Sequence, residues 1–404
     1  MTDAVLIFTF SPVQSFIAEA RRAADLYVGS RILSELAKAA AQAIGAVNLV
    51  YPASLNGSVP NVIVARVPAV EAKQIAERAE QALRKTWSEI SQTAHNQFAA
   101  WKFTDSVFDA IWKRQANHLW EVFWAAAEEE TSGYRDAYER ARAALDAVKR
   151  SRLFAACDEP GIKDTLSGRR EALHQHGQTH FAQVKGFWAQ VGKRTTAAKL
   201  RPDGRERLDA IGATKRFCDL ASQQFPSTST IAALDFIEHA KQVAAEALHT
   251  YRDVVAPLGV YRVCDDDDWP YDGDLLFEET LTPERLKDSY GIHQPDKQAL
   301  EKACQALKAL HNAAGGAPSP YYAVLVLDGD SMGKRISACL GQDDPKGAHA
   351  KLSQSLDAFA QQVQSIVPKD CLIYNGGDDV LAFLPLSWAL DTAHKLAQAF
   401  EQVA

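Results

Sequence analysis

Short apolar runs and longer amphipathic stretches alternate along the N-terminal part of the chain. Short apolar runs bounded by turn residues are typical of strands, whereas apolar positions three or four residues apart are typical of helices. The predicted elements are, in order, a strand at 4–10, a helical stretch at 15–44, strands at 48–51 and 61–67, a helix at 70–101 and a strand at 119–124. This β-α-β-β-α-β order is that of a ferredoxin-like sheet.

A second unit with a similar pattern occupies the C-terminal part, after a linker-like segment at 315–320 (GGAPSP). Its predicted elements are a strand at 321–327, a helix at 347–366, strands at 371–374 and 380–384 and a helix at 386–403. The order is β-α-β-β-α, so we expect a ferredoxin-like unit that lacks one strand and is truncated at its C-terminal end.

The pattern between the two units, from about 128 to 317, is mostly helical, with loops rich in glycine, proline and charge. We therefore predict an α+β fold in which two ferredoxin-like domains are separated by a mostly helical middle domain. The predicted domains are residues 1–130, 131–320 and 321–404.

The composition is that of an ordinary globular protein, with 404 residues, 47% hydrophobic, 24% charged and a net charge of −7. The six cysteines form no Cys-x-x-Cys pair, which favours a reducing compartment and argues against a thiolate zinc site. The sequence has no secretory signal pattern and no apolar run of the ~18 residues that a membrane span needs. We expect a cytoplasmic protein with no zinc site and no membrane partner.

Two carboxylates directly follow two glycines in Gly376-Gly377-Asp378-Asp379, between two predicted strands. A third carboxylate, Asp328, ends the first strand of the same unit, beside which this hairpin is expected to lie. Clustered carboxylates repel one another unless a cation neutralises them, and hard oxygen ligands suit Mg²⁺ or Mn²⁺. We therefore predict a metal–phosphate site at which two cations polarise the α-phosphate of a nucleotide.

The residues after Asp328 supply the other half of this predicted site. Gly329 and Asp330 complete a DGD sequence, and Ser331 and Lys334 are candidates for phosphate contacts. The segment is one residue too short for a P-loop and lacks Ser or Thr after the lysine, so we reject a Walker motif. Either acidic segment alone is also compatible with an ordinary Asp–Gly turn, but their occurrence together at strand ends favours the site.

The middle region contains one strong basic cluster. Between Lys185 and Arg216, nine Lys or Arg residues stand against three acids. The candidates for RNA contacts are Arg205, Arg207, Lys215 and Arg216. Basic side chains bind RNA through its phosphates, and the alternative is a solvated helical face.

Four stretches carry a resemblance to a known family. They are FSPVQSFI at 10–17 with ARR at 20–22 and DLYVGS at 25–30, GRERL at 204–208 with TKR at 214–216, WPYDGDLLF at 269–277, and DGDSMG at 328–333 with GGDD at 376–379. Together, and in this order, they resemble the large polymerase-like subunit of type III CRISPR–Cas effector complexes, of the Cmr type. The DGD and GGDD pairing is also similar to the palm of nucleotide cyclases and GGDEF enzymes.

The resemblance implies two palm domains that face each other, with ATP as the substrate at their interface. It implies that Asp328 and Asp378 are metal ligands assisted by Asp379, and that Gly376 and Gly377 shape the nucleotide site. In the first palm it implies residues that face a second nucleotide, namely Ser11, Gln14 and Ser15.

The resemblance also implies a function. The protein would be a subunit of a crRNA-guided antiviral ribonucleoprotein that converts ATP into cyclic oligoadenylates when target RNA binds. Its partners would be crRNA, target RNA and other Cmr-type subunits. Two alternatives stay open: a catalytically silent scaffold or nucleotide-binding subunit of the same complex, and a GGDEF-like dinucleotide cyclase, against which Asp379-Val380 argues because that signature continues with Glu-Phe.

The sequence departs from the family pattern in three ways. It contains no His-Asp dipeptide, and only Cys157 and Cys218 lie where many members carry a four-cysteine zinc site. We therefore expect neither an HD-type nuclease domain nor bound zinc. The family also continues beyond the last strand, which suggests that the chain is a portion of the functional protein.

Overall fold

A computed structural model describes residues 2–131, 133–151, 159–196, 199–222 and 225–403; Cys157 lies outside these ranges. The N-terminal elements are β1 (Asp3–Ser11), α1 (Gln14–Ala18), α2 (Ala23–Ile44), β2 (Leu49–Tyr51), β3 (Val62–Pro68), α3 (Ala72–Ala100), α4 (Ser106–Asn117), β4 (Glu121–Glu128) and α5 (Gly133–Ser151). The middle elements are α6 (Phe181–Gly192), α7 (Ala210–Phe217), α8 (Thr228–Val243), α9 (Ala245–Val255), α10 (Pro283–Tyr290) and α11 (Lys297–Ala313). The C-terminal elements are β5 (Tyr322–Leu327), α12 (Met332–Leu340), α13 (Pro345–Ile366), β6 (Leu372–Gly376), β7 (Asp379–Pro385) and α14 (Ala389–Val403).

The first sheet has the strand order β2-β3-β1-β4, and β1 is antiparallel to both of its neighbours. Successive side chains of a strand point to opposite faces, and β1 is apolar on both. Leu6 and Phe8 pack into the core formed with α2 and α3, whereas Val5 and Ile7 pack against α5. The predicted ferredoxin-like arrangement of this unit is therefore confirmed.

The predicted helical stretch at 15–44 is two helices, α1 and α2, with a break at 19–22. The Asp25 carboxylate accepts hydrogen bonds from the backbone N–H groups of Arg21 and Arg22, at 3.2 and 3.3 Å. The first N–H groups of a helix have no partner within the helix. A carboxylate that accepts hydrogen bonds at this point favours the start of a new helix.

The second sheet has the strand order β5-β7-β6, with both pairs antiparallel. Within the described residues it has three strands, which is the β-α-β-β order that the sequence predicts. One face is covered by α13 and α14, where Phe359 and Leu396 pack against β7. The opposite face meets α2 and α8 through Ile373 and Phe383.

The middle region contributes to two different cores. Residues from Ala172 to Cys218 complete the core of the first unit, whereas α8 to α11 enclose a core of their own around Tyr251 and Trp269. Nowhere in the described ranges does a helix combine the length and apolar character that a membrane crossing requires.

The two ferredoxin-like units also touch each other directly. α13 packs against β2 and α5, and the Tyr134 hydroxyl of α5 lies 3.0 Å from Nδ1 of His349 in α13. This contact brings the end of β2 close to the Gly-Gly-Asp-Asp hairpin.

Candidate nucleotide site at the acidic hairpin

The hairpin between β6 and β7 is as short as a hairpin can be. Gly376 pairs with Asp379, which leaves Gly377 and Asp378 as the two loop residues. Gly377 has φ +67°, in the left-handed region that glycine enters without steric cost. Glycine at the first loop position is typical of two-residue hairpins, so the second glycine of the motif is required by the turn itself.

The pairing of β5 with β7 brings the third carboxylate to this hairpin. Leu327 lies opposite Val380. The same antiparallel register therefore brings Asp328, the next residue, to the side of Asp379. A Cβ built on Gly329 would lie only 2.8 Å from Oδ2 of Asp378. The DGD segment therefore lies directly against the hairpin, and only glycine fits at 329.

The electrostatics of the cluster show that the carboxylates interact. Burial, then the charge of Asp378 and the hydrogen bond with Asp328, raises the pKa of Asp379 to about 7. Burial, with the charge of Asp328, also raises the pKa of Asp378. Each shift disfavours full ionisation of the cluster, and a bound cation would reverse it.

The described residues contain no group of three or more His, Cys, Asp or Glu side chains that is already arranged to hold a metal ion. Mg²⁺ is commonly bound by one or two carboxylates together with phosphate oxygens of the substrate and water. The carboxylate oxygens of Asp328, Asp378 and Asp379 suit a cation that is also bound by a phosphate. They do not surround a cation on their own.

The segment that follows Asp328 carries a strained backbone. Ser331, at the start of α12, has φ +60°, which is uncommon for a residue other than glycine and costs about 1–3 kcal/mol. Such strain is typical of ligand-binding segments. Asp330, Ser331 and Lys334 are all exposed beside Asp328, so their predicted nucleotide contacts are sterically open.

The predicted first-palm residues lie at the end of β1 and in α1. Ser11 ends β1 and is half-buried, whereas Gln14 and Ser15 are exposed on α1. Among the described residues, no hydrogen bond or ion pair joins these three side chains to the acidic hairpin. Their contact with a second nucleotide remains a prediction.

The first unit reaches the hairpin through a residue that the sequence analysis missed. A Cβ built on Gly377 would lie 2.8 Å from the Tyr51 hydroxyl, and one on Gly376 would overlap the Tyr374 hydroxyl. Burial, followed by the charge of Asp378, raises the pKa of Tyr51, so this phenol stays neutral. Tyr374 precedes the motif and could have been suspected, but the approach of Tyr51 depends on how the two units pack.

Asn375 anchors the hairpin from behind. Its Nδ2 donates a hydrogen bond to the carbonyl oxygen of Ala360 in α13, at 2.6 Å. The side chain is buried, and its Oδ1 has no partner in the described parts of the chain. Asn375 therefore fixes the position of the acidic turn relative to α13.

The structure corrects the RNA-contact prediction for Lys215 and Arg216. Both side chains are buried, at 1% and 4% exposure. Arg216 pairs with Asp25 at 2.5 Å and with Glu206 at 3.2 Å, and Nζ of Lys215 donates to the carbonyl oxygen of Glu19 at 2.9 Å. These charges hold α7 against the first unit, so they are not free to bind phosphates and the prediction for them is wrong.

The other two basic candidates lie nearer the surface. Arg205 is exposed beside Asp203, and the guanidinium of half-buried Arg207 lies 4.7 Å above the ring of Phe181. Phe181 is itself exposed, so an aromatic ring and the Arg207 cation lie together at the start of α6. Their contact with RNA remains a prediction.

Comparison with known proteins matches both ends of the chain. The family model described as Cas10/Cmr2, second palm domain, matches residues 321–404, and the model described as CRISPR-associated protein Cmr2, N-terminal, matches residues 5–56. The two ends of the chain are thus similar to domains of the Cas10/Cmr2 type. The acidic hairpin and Asp328 lie in the part that matches the second palm, and Tyr51 lies in the part that matches the Cmr2 N-terminal model.

Relatives of the Cas10/Cmr2 type align along nearly the whole chain. The CRISPR system Cmr subunit Cmr2 of Pyrococcus furiosus is 24% identical over 482 aligned positions, which cover 96% of this chain and 54% of that protein. The chain therefore spans about half the length of this relative.

Two solved structures have the same fold. One, described as the apo state of type III-B Cmr-beta, has a TM-score of 0.62 at 13% identity and covers 99% of this chain and 61% of its own. The other, Cmr-beta bound to cognate target RNA, has a TM-score of 0.64 at 12% identity and covers 99% and 62%. The predicted architecture of two palms around a helical middle region is confirmed by this likeness.

Proposed function

We propose that this chain is the cyclase-bearing part of a cytoplasmic type III CRISPR effector complex. It converts ATP into cyclic oligoadenylates when the complex, with its crRNA and other Cmr-type subunits, binds target RNA. The observation that carries the proposal is the meeting of Asp328, Asp378 and Asp379 at the Gly-Gly hairpin of a palm domain.

The geometry supports nucleotidyl transfer from ATP. Gly377, one of the two loop residues, has no side chain, so a triphosphate can approach the backbone at this position. A divalent cation held by Asp328 and Asp378 would supply charge stabilisation at the α-phosphate. Asp379 follows Asp378 and pairs across the hairpin with Gly376, so its carboxylate is placed to take the proton of the attacking 3′-hydroxyl.

A silent scaffold is the second candidate, and one observation favours it. The described carboxylates do not form a closed metal cage, so nucleotide binding without turnover is compatible with the same geometry. A GGDEF-like dinucleotide cyclase is less well supported because Asp379-Val380 stands where that signature has Glu-Phe.

The test uses the assembled complex with ATP, Mg²⁺ or Mn²⁺, and target RNA, with products identified by mass spectrometry. The wild type should make cyclic oligoadenylates only with matching target RNA. The double variant Asp378→Ala with Asp379→Ala should lower the rate by roughly three orders of magnitude or more, since several kcal/mol of charge stabilisation is lost.

The matched control is Asp265→Ala with Asp267→Ala, which removes two exposed carboxylates of the middle region. It should leave the rate unchanged. A wild-type complex that binds target RNA and ATP but releases no oligoadenylate would support the scaffold instead. Equal product from the Asp378/Asp379 variant would show that the reaction takes place at another site.

A further inference from the structure

Two tyrosine hydroxyls flank the Gly-Gly turn, one from each palm. Tyr51 is the last residue of β2 in the first palm, and Tyr374 lies in β6 of the second. The Tyr51 hydroxyl lies 2.8 Å from the position of a Cβ on Gly377, and the Tyr374 hydroxyl occupies the equivalent space at Gly376. Both donors therefore lie at the turn that presents Asp378.

Neither hydroxyl has a protein partner that would explain its position. Within the described ranges, no hydrogen bond is made by the Tyr51 or the Tyr374 hydroxyl, although both rings are partly buried. Both hydroxyls reach solvent, since neither is among the buried side-chain atoms without a partner in the described residues. The turn therefore has two donors that are open to a ligand with acceptor atoms.

The chemistry of the neighbourhood identifies the acceptor. Asp328, Asp378 and Asp379 present only acceptor oxygens when they are ionised, so they cannot hydrogen-bond a phosphate. A neutral phenol can donate to a phosphate oxygen, and Lys334 is an exposed cation of α12, in the segment that follows Asp328. A triphosphate at this turn needs such donors in addition to the carboxylates.

We propose that the Tyr51 hydroxyl donates a hydrogen bond to a phosphate oxygen of the nucleotide held at the acidic hairpin. The inference rests on the proposed function, because it assumes that the hairpin binds a nucleoside triphosphate. It adds one specific phosphate donor to that site, the Tyr51 hydroxyl at the end of β2. Nucleotide affinity then depends on the packing of α13 against β2, which sets the distance between Tyr51 and Gly377.

The experiment compares Tyr51→Phe with the wild type in the assembled complex. The probe is α,β-methylene-ATP with Mn²⁺, which cannot react at the α-phosphate, and its affinity is measured by calorimetry. Loss of a hydrogen bond to a charged acceptor should weaken binding by about tenfold or more. Tyr322→Phe, at the opposite end of β5 from Asp328, is the control and should bind like the wild type.

A second measurement separates ligand contact from support of the turn. Without nucleotide, amide hydrogen exchange over residues 374–380 should be the same in Tyr51→Phe and the wild type. Faster exchange there, with weaker binding, would mean that Tyr51 only shapes the turn and would overturn the inference. Unchanged affinity in Tyr51→Phe would overturn it while leaving the proposed function intact. A wild type that does not bind the analogue would overturn both.

Discussion

Gly377 meets two independent steric demands. Its φ of +67° is unfavourable for any residue with a Cβ, and a Cβ at this position would lie 2.8 Å from the Tyr51 hydroxyl. Backbone conformation and contact with the other palm therefore both require glycine. At the residue scale, this makes position 377 sensitive to any substitution.

Gly377→Ala should lower the free energy of unfolding by about 1–3 kcal/mol, since left-handed strain adds to a close contact. Chemical denaturation would measure the loss. Gly186→Ala is the matched control, because Gly186 lies in α6 with open space around its Cα and an ordinary φ. That change should raise stability by about 0.5–1 kcal/mol. A Gly377→Ala protein as stable as the wild type would mean that the turn can relax away from Tyr51.

At the scale of elements, α7 shows how a basic segment can be structural. All eight of its residues, Ala210–Phe217, are buried. Burial opposes the ionisation of Glu206, but the charges of Arg216 and Arg22 outweigh it and lower the pKa of Glu206 to about 2. Buried charges are tolerated only when they are paired and hydrogen-bonded, and here the pairs join α7 to the start of α2.

Arg216→Met should therefore cost about 3–5 kcal/mol of stability, because it leaves the buried Asp25 carboxylate without its main partner. The double variant with Asp25→Asn should recover part of this loss, and a double-mutant cycle by denaturation measures the coupling. The salt dependence of RNA binding should not change in a folded variant. A stable Arg216→Met protein with a shallower salt slope would restore the RNA-contact interpretation.

At the scale of the whole molecule, the sequence does not predict how the units pack against one another. Asp328 and the hairpin acids were found because their spacing relative to strand ends places them in one sheet, and the β-α-β-β motif itself sets which of its strands are neighbours. Lys215 and Tyr51 were misjudged or missed because their environments come from packing between units. The apolar residues of α7 on every side were the one available signal that its two cations are buried, since an exposed helix would show a polar face.

The contact between the palms has its own titratable group. His349 of α13 is buried at 3% exposure against Tyr134 and Tyr138 of α5. Burial lowers the pKa of His349 from 6.5 to about 4, so the ring is neutral in the folded protein. Unfolding exposes it, and its pKa then returns to about 6.5.

The unfolded state therefore binds more protons between pH 6.5 and 4, and stability falls as pH falls through this range. Above pH 6.5 the neutral His349 does not lower the free energy of unfolding. By pH 5, protonation of this histidine in the unfolded state should lower that free energy by about 2 kcal/mol. Denaturation at pH 7 and pH 5 would measure this loss. Lower amide protection factors in α13 and α5 at pH 5, corrected for the slower intrinsic exchange at that pH, would locate it between the palms.

The variant Tyr134→Phe with His349→Leu removes both polar partners, a change that leaves no unpaired group behind. Between pH 7 and pH 5 the free energy of unfolding should fall in both proteins, but by about 2 kcal/mol less in the variant. The carboxylates are the same in both proteins, so their effect cancels in the difference. His394→Gln, at an exposed histidine of α14, should keep the wild-type pH dependence. If the Tyr134/His349 variant loses as much stability as the wild type, the buried histidine does not make the palm contact sensitive to acid. If the loss shrinks as expected, mild acid weakens the contact that holds β2, and with it Tyr51, against the acidic hairpin.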